Sequence, residues 1–255
     1  MPYQSKSRAA CLIGWPAAHS RSPLIHHFWL RLLNIHGGYS IESIPPEGFA
    51  EFVLNLSKHG YIGANITIPH KERVLTLTAP DQRARAVGAA NTLWYDHGTL
   101  RSTNTDIEGF IDNLDHAAPD WDAADDVLVL GAGGAARAVL FGLIERGIKR
   151  VHLANRTIER ARALADQFGA SVHPVAWDAI DDLLPANATV ADLVYVPLLT
   201  PLLAAARARG LQTADGLGML LYQAVRGFEL WFGQRPEVTA ELRALVEADL
   251  AVTVA

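Results

Sequence analysis

Four apolar residues, Val127–Leu130, run directly into Gly131-Ala132-Gly133-Gly134-Ala135-Ala136, and a helical pattern continues over Ala135–Arg146. This junction constrains the fold more than any other part of the chain. The apolar run reads as a buried strand, and the glycines permit a tight turn whose backbone a ligand can approach. A helix opening there presents free N–H groups to whatever lies over the turn, which suits a pyrophosphate. The spacing fits G-x-G-x-x-A, the turn of a dinucleotide-binding βαβ unit. A glycine turn can also do no more than pack a helix on a strand, but the strand–turn–helix context favours the nucleotide reading. Gly131, Ala132, Gly133, Gly134 and Ala135 are therefore candidate cofactor contacts.

The following strand, Val151–Ala154, bears on which dinucleotide is bound. An NAD-type site carries Asp or Glu about 20 residues beyond the glycines, to hold the ribose 2′-hydroxyl. Here the strand ends in Asn155-Arg156-Thr157, with Arg160 one turn later, and no carboxylate stands at its end. Two guanidinium groups offer planar charged forks to a 2′-phosphate, so the reading is NADP. The plainer alternative is that Thr157 caps a helix and the arginines pair with Glu159 or Asp166 on its surface.

The remainder of the chain repeats the alternation of strand and helix. Strands are expected at Ala9–Ile13, Tyr39–Ile44 and Gly63–Ile68, with helices at Ser22–Leu33 and Phe49–His59 between them. Asn91–Tyr95 and Thr99–Ser102 read as a hairpin turning at Asp96-His97-Gly98. A helix at Ile107–Leu114 precedes the polar stretch Asp115–Asp126, a natural place for a boundary between domains. Beyond the glycine turn, helix Thr157–Phe168, strand Ser171–Val175, helix Trp177–Leu184, strand Val190–Val196, helix Pro201–Arg209 and a short strand at Gln212–Ala214 follow. Two helices, Leu217–Phe232 and Thr239–Leu250, end the pattern. Strands separated by helices imply an α/β protein with mostly parallel, sandwiched sheets.

Composition excludes several classes. A formal net charge of -5 with well-mixed signs leaves no basic patch for nucleic acid or a membrane surface. Cys11 is the single cysteine, so no intrachain disulfide can form, cysteine-built zinc sites are absent, and a reducing, cytoplasmic setting fits. The ten histidines show no metal-ligand spacing. Lys6 and Arg8 before Ala9–Ile13 loosely imitate a secretion signal, but the run is short and Gly14-Trp15-Pro16 breaks it, so it reads as a first strand. The most apolar stretch, Val127–Ile144, contains Arg137 and the glycines and is not a membrane span.

Outside the nucleotide turn, two polar clusters draw notice. In Asn65-Ile66-Thr67-Ile68-Pro69-His70-Lys71 the alternation puts Asn65 and Thr67 on one face and the isoleucines on the other. With the isoleucines against helices, the polar pair faces a cleft. Lys71 then falls just past the strand's C-terminal end, where α/β sheets place ligands. The opposing reading, a solvated lysine at a helix start, sets a cation against an unfavourable dipole. In His19-Ser20-Arg21-Ser22-Pro23, Ser22 can cap a helix with Pro23 at its first position, which leaves Ser20 unexplained. Two hydroxyls at a helix N-terminus also suit a carboxylate.

These motifs, taken in order, resemble the shikimate/quinate dehydrogenase family over nearly the whole chain. They are Gly14-x-Pro16 with His19-Ser20-x-Ser22-Pro23, Asn65-x-Thr67-x-Pro69-x-Lys71, Gly88-Ala89-x-Asn91-Thr92, Asn104-Thr105-Asp106, the glycine turn, Asn155-Arg156-Thr157, Asp192-x-Val194-Tyr195-x-Pro197 and Asp215-Gly216-Leu217-Gly218-Met219-Leu220-x-x-Gln223. The resemblance implies a substrate domain over 1–108, a Rossmann-type NADP domain over 109–217, and helices from 218–255 that return to the substrate domain. It implies reversible NADPH-dependent reduction of 3-dehydroshikimate to shikimate. Ser20 and Ser22 would bind the carboxylate. Asn65, Thr67, Asn91, Asp106, Tyr195 and Gln223 would hold the rest of the substrate, and Lys71 with Asp106 would form the catalytic pair. Gly216 and Met219 join the cofactor set, no metal is needed, and the protein would be a monomer or homodimer. A quinate or dual-specificity enzyme is the near alternative. A non-catalytic sensor of the same fold is a remoter one, which the retained Lys71 and Asp106 disfavour.

Two departures from the family pattern stand out. His26-His27 replaces a common His-Asn. More seriously, after helix Trp177–Leu184 the family carries a further strand ending in an Asn-Ala-Thr loop, whereas here Pro185-Ala186-Asn187-Ala188-Thr189 leads straight into Val190–Val196. Asn187–Thr189 is therefore not assigned to the cofactor. A parallel crossover takes a dozen or more residues, and this link can supply only one. Loss of a central strand would leave buried backbone groups unpaired. The expectation is thus that residues are left out between Asp178 and Ala191, marked by a Cα–Cα separation well beyond the usual 3.8 Å or so. An unbroken chain would instead imply weak cofactor binding and low activity.

Overall fold

In the computed structural model of the chain, residues 8–180, 183 and 187–254 are described. They form two compact units, the first made of 1–105 with 223–255 and the second of 106–222.

The first unit contains β1 (Arg8–Gly14), α1 (Ser22–Leu32), β2 (Gly37–Ser43), α2 (Pro46–Leu54), β3 (Tyr61–Ile66), β4 (Ala79–Pro80), α3 (Gln82–Val87), β5 (Thr92–Asp96) and β6 (Thr99–Thr103). Its sheet runs β2-β1-β3-β5-β6-β4. β1 pairs in parallel with β2 and β3, and β5 turns the direction as an antiparallel partner of β3. The β5–β6 hairpin closes through His97 (φ 46) and Gly98 (φ 83), the doubly left-handed two-residue turn that suits strand twist. Ala10, Cys11, Leu12 and Ile13 are all buried, as an internal strand covered on both faces requires. One face packs Phe49, Val53 and Leu56 against Ile13 and Ile66. On the other, Trp231 donates its indole N–H to the Leu93 carbonyl at 2.8 Å and Trp29 donates to the Glu237 carbonyl at 2.9 Å. The first bond ties the sequence-distant C-terminal segment to the sheet and the second ties it to α1.

The second unit contains α4 (Asp106–Ala117), β7 (Asp126–Leu130), α5 (Gly134–Glu145), β8 (Arg150–Ala154), α6 (Ile158–Phe168), β9 (Val172–Val175), β10 (Val190–Ala191), α7 (Pro201–Ala208) and β11 (Thr213–Ala214). α8 (Gly216–Phe232) begins in this unit and ends in the first, and α9 (Ala240–Val254) lies in the first. β7-β8-β9 form a parallel three-stranded sheet, and β10-β11 a separate parallel pair. The core gathers Leu140, Leu143, Val151 and Leu153 with Phe110 and Trp121.

Several expectations are corrected. The polar stretch Asp115–Asp126 does not divide the units: Trp121 is buried within the second, and Arg146 grips Asp115 and Asp122 at 2.7–2.8 Å. Helix α2 starts and ends earlier than Phe49–His59, because successive turns occupy 55–60. The run Gln82–Val87 is helical, capped by Asp81 Oδ1 accepting the Ala84 N–H at 2.8 Å. Of the expected helix Trp177–Leu184, a 3₁₀ turn at Trp177–Ala179 forms, while 181–182 and 184–186 lie outside the described residues. The strand expected at Val190–Val196 shrinks to Val190–Ala191 because Asp192 turns the backbone, its Oδ1 accepting the Val194 N–H and its Oδ2 the Thr200 hydroxyl. Within Asp178–Ala191, where a break in the chain was expected, 181–182 and 184–186 lie outside the described residues, and among the described residues no further strand joins the β7-β8-β9 sheet. Among the described residues, no helix is long and apolar enough to cross a membrane.

Candidate active site

In the first unit, a line of buried polar side chains runs from Tyr39 within β2 past the C-terminal end of β3 to the start of β5 and the residues just after β6. Asn65, at the end of β3, accepts the Tyr39 hydroxyl at 2.6 Å and donates to the Asn91 carbonyl and Thr92 Oγ1, each at 3.1 Å. Asn91 Oδ1 accepts the Thr105 N–H at 2.7 Å, and its Nδ2 faces Gln223 Oε1 at 3.4 Å. Asn65, Asn91, Thr92 and Thr105 are each under 5% exposed. Burying so many amides and hydroxyls is costly unless they pair, and they do so with one another. Burial pushes the Tyr39 phenol well above its usual range; the nearby Cys11 thiol adds to the shift and the Ser22 hydroxyl opposes it.

At the start of α1 the serines differ from the simple cap. Ser22 is the first helical residue; its N–H is accepted by Ser20 Oγ at 3.2 Å, and the two hydroxyls lie 3.1 Å apart. Ser20 thus takes the N–H of Ser22 itself, one of the donors the helix start leaves free, and the cap position falls on Arg21, which makes no side-chain cap bond. Beneath Tyr39, His26 stacks at 4.1 Å, fully buried among Trp29, Phe228 and Trp231. Burial lowers its pKa to about 3, so its ring is neutral.

Beyond β3, Thr67 is half-buried, while Ile68 is 66% exposed and does not pack against a helix as the alternation suggested. β3 ends at Ile66, so the period-two pattern no longer governs Ile68. The turn is held by His70, which stacks on Phe49 at 4.0 Å and bonds the Ile44 carbonyl at 2.8 Å. Lys71 follows, half-buried, its carbonyl accepting the Ala90 N–H at 2.8 Å. That bond fixes the lysine backbone beside Asn91. Ser20, Ser22, Asn65, Thr67, Lys71, Asn91 and Gln223 thus all belong to the first unit, while Asp106 and Tyr195 belong to the second.

In the second unit the glycine turn follows β7. Gly131 adopts φ +107, a conformation that side chains resist. A Cβ on Gly133 or Gly134 would meet nothing within 4 Å, so the chain itself leaves the space above the turn open. Ala132 donates its N–H to Asn155 Oδ1 at 3.0 Å, and Asn155 Nδ2 donates to the Thr157 carbonyl at 2.7 Å. Thr157 precedes α6 without a side-chain cap bond, unlike the capping reading. Arg156 and Arg160 are exposed, and among the described residues neither forms an ion pair with Glu159 or Asp166. An open glycine turn beside two unengaged guanidinium groups fits the diphosphate and 2′-phosphate of NADP. Tyr195 is half-buried. Gly216 sits against the Leu193 carbonyl so closely that a Cβ would collide with it, and Met219 packs on the unit's core. Among the described residues no cluster suits a metal.

Three residues of the polar line, Tyr39, Thr92 and Thr105, escaped assignment from sequence. Thr92 and Thr105 stood inside quoted motifs. For Tyr39, the signal available was a polar tip within an apolar strand run.

A Rossmann-type unit with an open phosphate turn, together with a separate α/β unit lined by buried hydrogen-bonding groups, defines a pyridine-nucleotide oxidoreductase. Comparison narrows the class. Residues 12–93 match the shikimate dehydrogenase substrate binding domain, 116–195 the shikimate/quinate 5-dehydrogenase profile, and 216–245 the shikimate 5′-dehydrogenase C-terminal domain. The shikimate dehydrogenase (NADP(+)) of Nitrobacter hamburgensis is 69% identical, with 99% of this chain and 98% of that protein covered. Shikimate 5-dehydrogenase of Thermus thermophilus, solved with NADP(H) and shikimate, superposes with a TM-score of 0.82 at 32% identity, covering 96% and 99%. Quinate dehydrogenase of Corynebacterium glutamicum, solved with NAD, gives 0.85 at 29%, covering 96% and 100%. The chain belongs to the shikimate dehydrogenase family.

Proposed function

We propose that the protein catalyses the reversible NADPH-dependent reduction of 3-dehydroshikimate to shikimate. The observation that carries this reading is the buried line Tyr39–Asn65–Asn91–Thr105–Gln223 alongside the anchored Lys71. Its amides and hydroxyls are the donor and acceptor types that hydrogen-bond the hydroxyls of a small polyhydroxy ring. The relatives near 69% identity are named for shikimate and NADP(+), which favours shikimate over quinate.

When bound, the nicotinamide supplies or accepts the hydride. The chain's residues do the rest. Ser20 and Ser22 bind the carboxylate through their hydroxyls, at a helix start whose dipole favours an anion. Asn65, Thr67, Asn91, Asp106, Tyr195 and Gln223 orient the ring. The Lys71 ammonium stabilises charge developing on the carbonyl oxygen and donates the proton that completes the alcohol, with Asp106 holding the ammonium in place. Asn155, Arg156, Thr157 and Arg160 receive the adenosine 2′-phosphate end, with Gly216 and Met219 completing the cofactor set. A substrate-sized ligand and a cytoplasmic location belong to the same reading, in which the enzyme works as a monomer or homodimer.

The test follows deuterium from NADPH deuterated at the transferring position into product. Deuterium appearing in shikimate at the reduced carbon supports the assignment. Turnover of neither 3-dehydroshikimate nor its quinate-series analogue would overturn it.

A further inference from the structure

The nucleotide unit has one strand position that no described residue fills. The order β7-β8-β9 corresponds to the first three strands of a doubly wound sheet. In that topology the fourth strand returns to the other side of the first, and the dinucleotide lies across the crevice where the order reverses. Here β9 is followed by β10, which pairs with β11; among the described residues no strand pairs with the free edge of β7.

The side chains of β7 bear this out. Val127, Leu128 and Val129 are only partly covered and Leu130 is 47% exposed, whereas Val151, Leu153 and Ala154 of the adjoining β8 are fully buried. An apolar strand that should be central is left half wet. The alignment with the Nitrobacter hamburgensis relative spans 279 positions, 24 more than the 255 residues of this chain, so the relative has residues where this chain has none. That number suffices for a short strand and the crossover of about a dozen residues that a parallel connection needs.

The two ends of the cofactor are affected differently. The phosphate turn, Asn155 and Arg156 stand on the β7–β8 side and are complete. Among the described residues, none supplies the opposite wall that the C-terminal end of a fourth strand would form. We infer that this chain holds NADP chiefly by its adenosine 2′-phosphate and diphosphate, the nicotinamide end contributing little to binding. This rests on the NADP reading above and specifies which part of that site is built.

The test is calorimetry on the full chain with NADP and with 2′-phospho-ADP-ribose, which keeps the 2′-phosphate and the diphosphate and lacks the nicotinamide, repeated on a chimera carrying the relative's additional residues at their aligned place. The two dissociation constants should agree within about threefold in the natural chain, while the chimera should favour NADP by about tenfold or more, a difference of 1.4 kcal/mol. Amide exchange at Leu128 and Leu130, the β7 amides that alternate away from β8, should be fast in the natural chain and slow in the chimera. A natural chain that already favours NADP by tenfold, or slow exchange at Leu128 and Leu130 without the graft, overturns the inference and leaves the cofactor reading intact. Binding of neither ligand overturns both.

Discussion

Asn155 stands at the end of β8 and accepts the Ala132 N–H at 3.0 Å, fastening the glycine turn to the neighbouring strand. Its amide nitrogen, Nδ2, donates to the Thr157 carbonyl at 2.7 Å, so one side chain sets both the phosphate turn and the approach to α6. Asn155→Ala should weaken binding of 2′,5′-ADP by about 1–3 kcal/mol, the usual effect of leaving such groups unpaired. Shikimate affinity should not change. Calorimetry with each ligand separates the two effects, and an unaltered nucleotide affinity would show that the turn holds its shape without the asparagine.

Arg156 is exposed and without a carboxylate partner among the described residues, as a phosphate-binding guanidinium should be. Arg156→Ala should lose on the order of 1–3 kcal/mol of the preference for NADP over NAD. The comparison is of kcat/KM for both cofactors in parent and variant. Equal values in the parent contradict the NADP reading.

Lys71→Ala should lower kcat by roughly 10²–10⁴-fold, as loss of a general acid–base group does, with much less change in shikimate affinity. Near-normal kcat would remove Lys71 from the proton-donor role.

Replacing Ser20 and Ser22 together by alanine should raise KM for shikimate strongly and leave NADP affinity unaltered. Because Ser20 Oγ also accepts the Ser22 N–H, stability should fall by about 0.5–2 kcal/mol, the range for a lost cap. If denaturant unfolding registers that loss while KM stays put, the serines serve the helix alone.

His26 gives the fold a pH dependence of definite sign. Folded, its pKa is lowered from 6.5 to about 3 by burial. The unfolded chain therefore binds one more proton below pH 6.5, so the stability is present above that value and is lost as pH falls toward 3. The slope from this residue is about 1.4 kcal/mol per pH unit. His26→Phe, which keeps an aromatic ring against Tyr39, should flatten the stability–pH curve by that slope between pH 6 and 4, roughly the window in which the two states differ in proton uptake. An unchanged slope would mean that His26 charges in place.

The parts of the fold legible in sequence were those whose pattern and surroundings agree. The glycine turn announced β7, α5 and β8 because strand, turn and helix signals coincide there, and Asp96-His97-Gly98 announced the β5–β6 hairpin for the same reason. Val190–Val196 misled because an apolar, β-branched run becomes a strand only beside a partner, and β11 supplies just two residues of ladder. The line of side chains through Tyr39 and Thr105 could not be read as a unit, since it joins residues far apart in sequence. Alternation placed Asn65 correctly toward polar partners but not Ile68, which lies beyond the end of β3.

Steady-state kinetics at saturating cofactor, with shikimate and quinate each paired with NADP and NAD, decides whether the protein is an NADP-dependent shikimate dehydrogenase. The highest kcat/KM is expected for shikimate with NADP, and a lower value for each of the other three pairs. Preference for quinate with NAD, or turnover of neither acid, would contradict it.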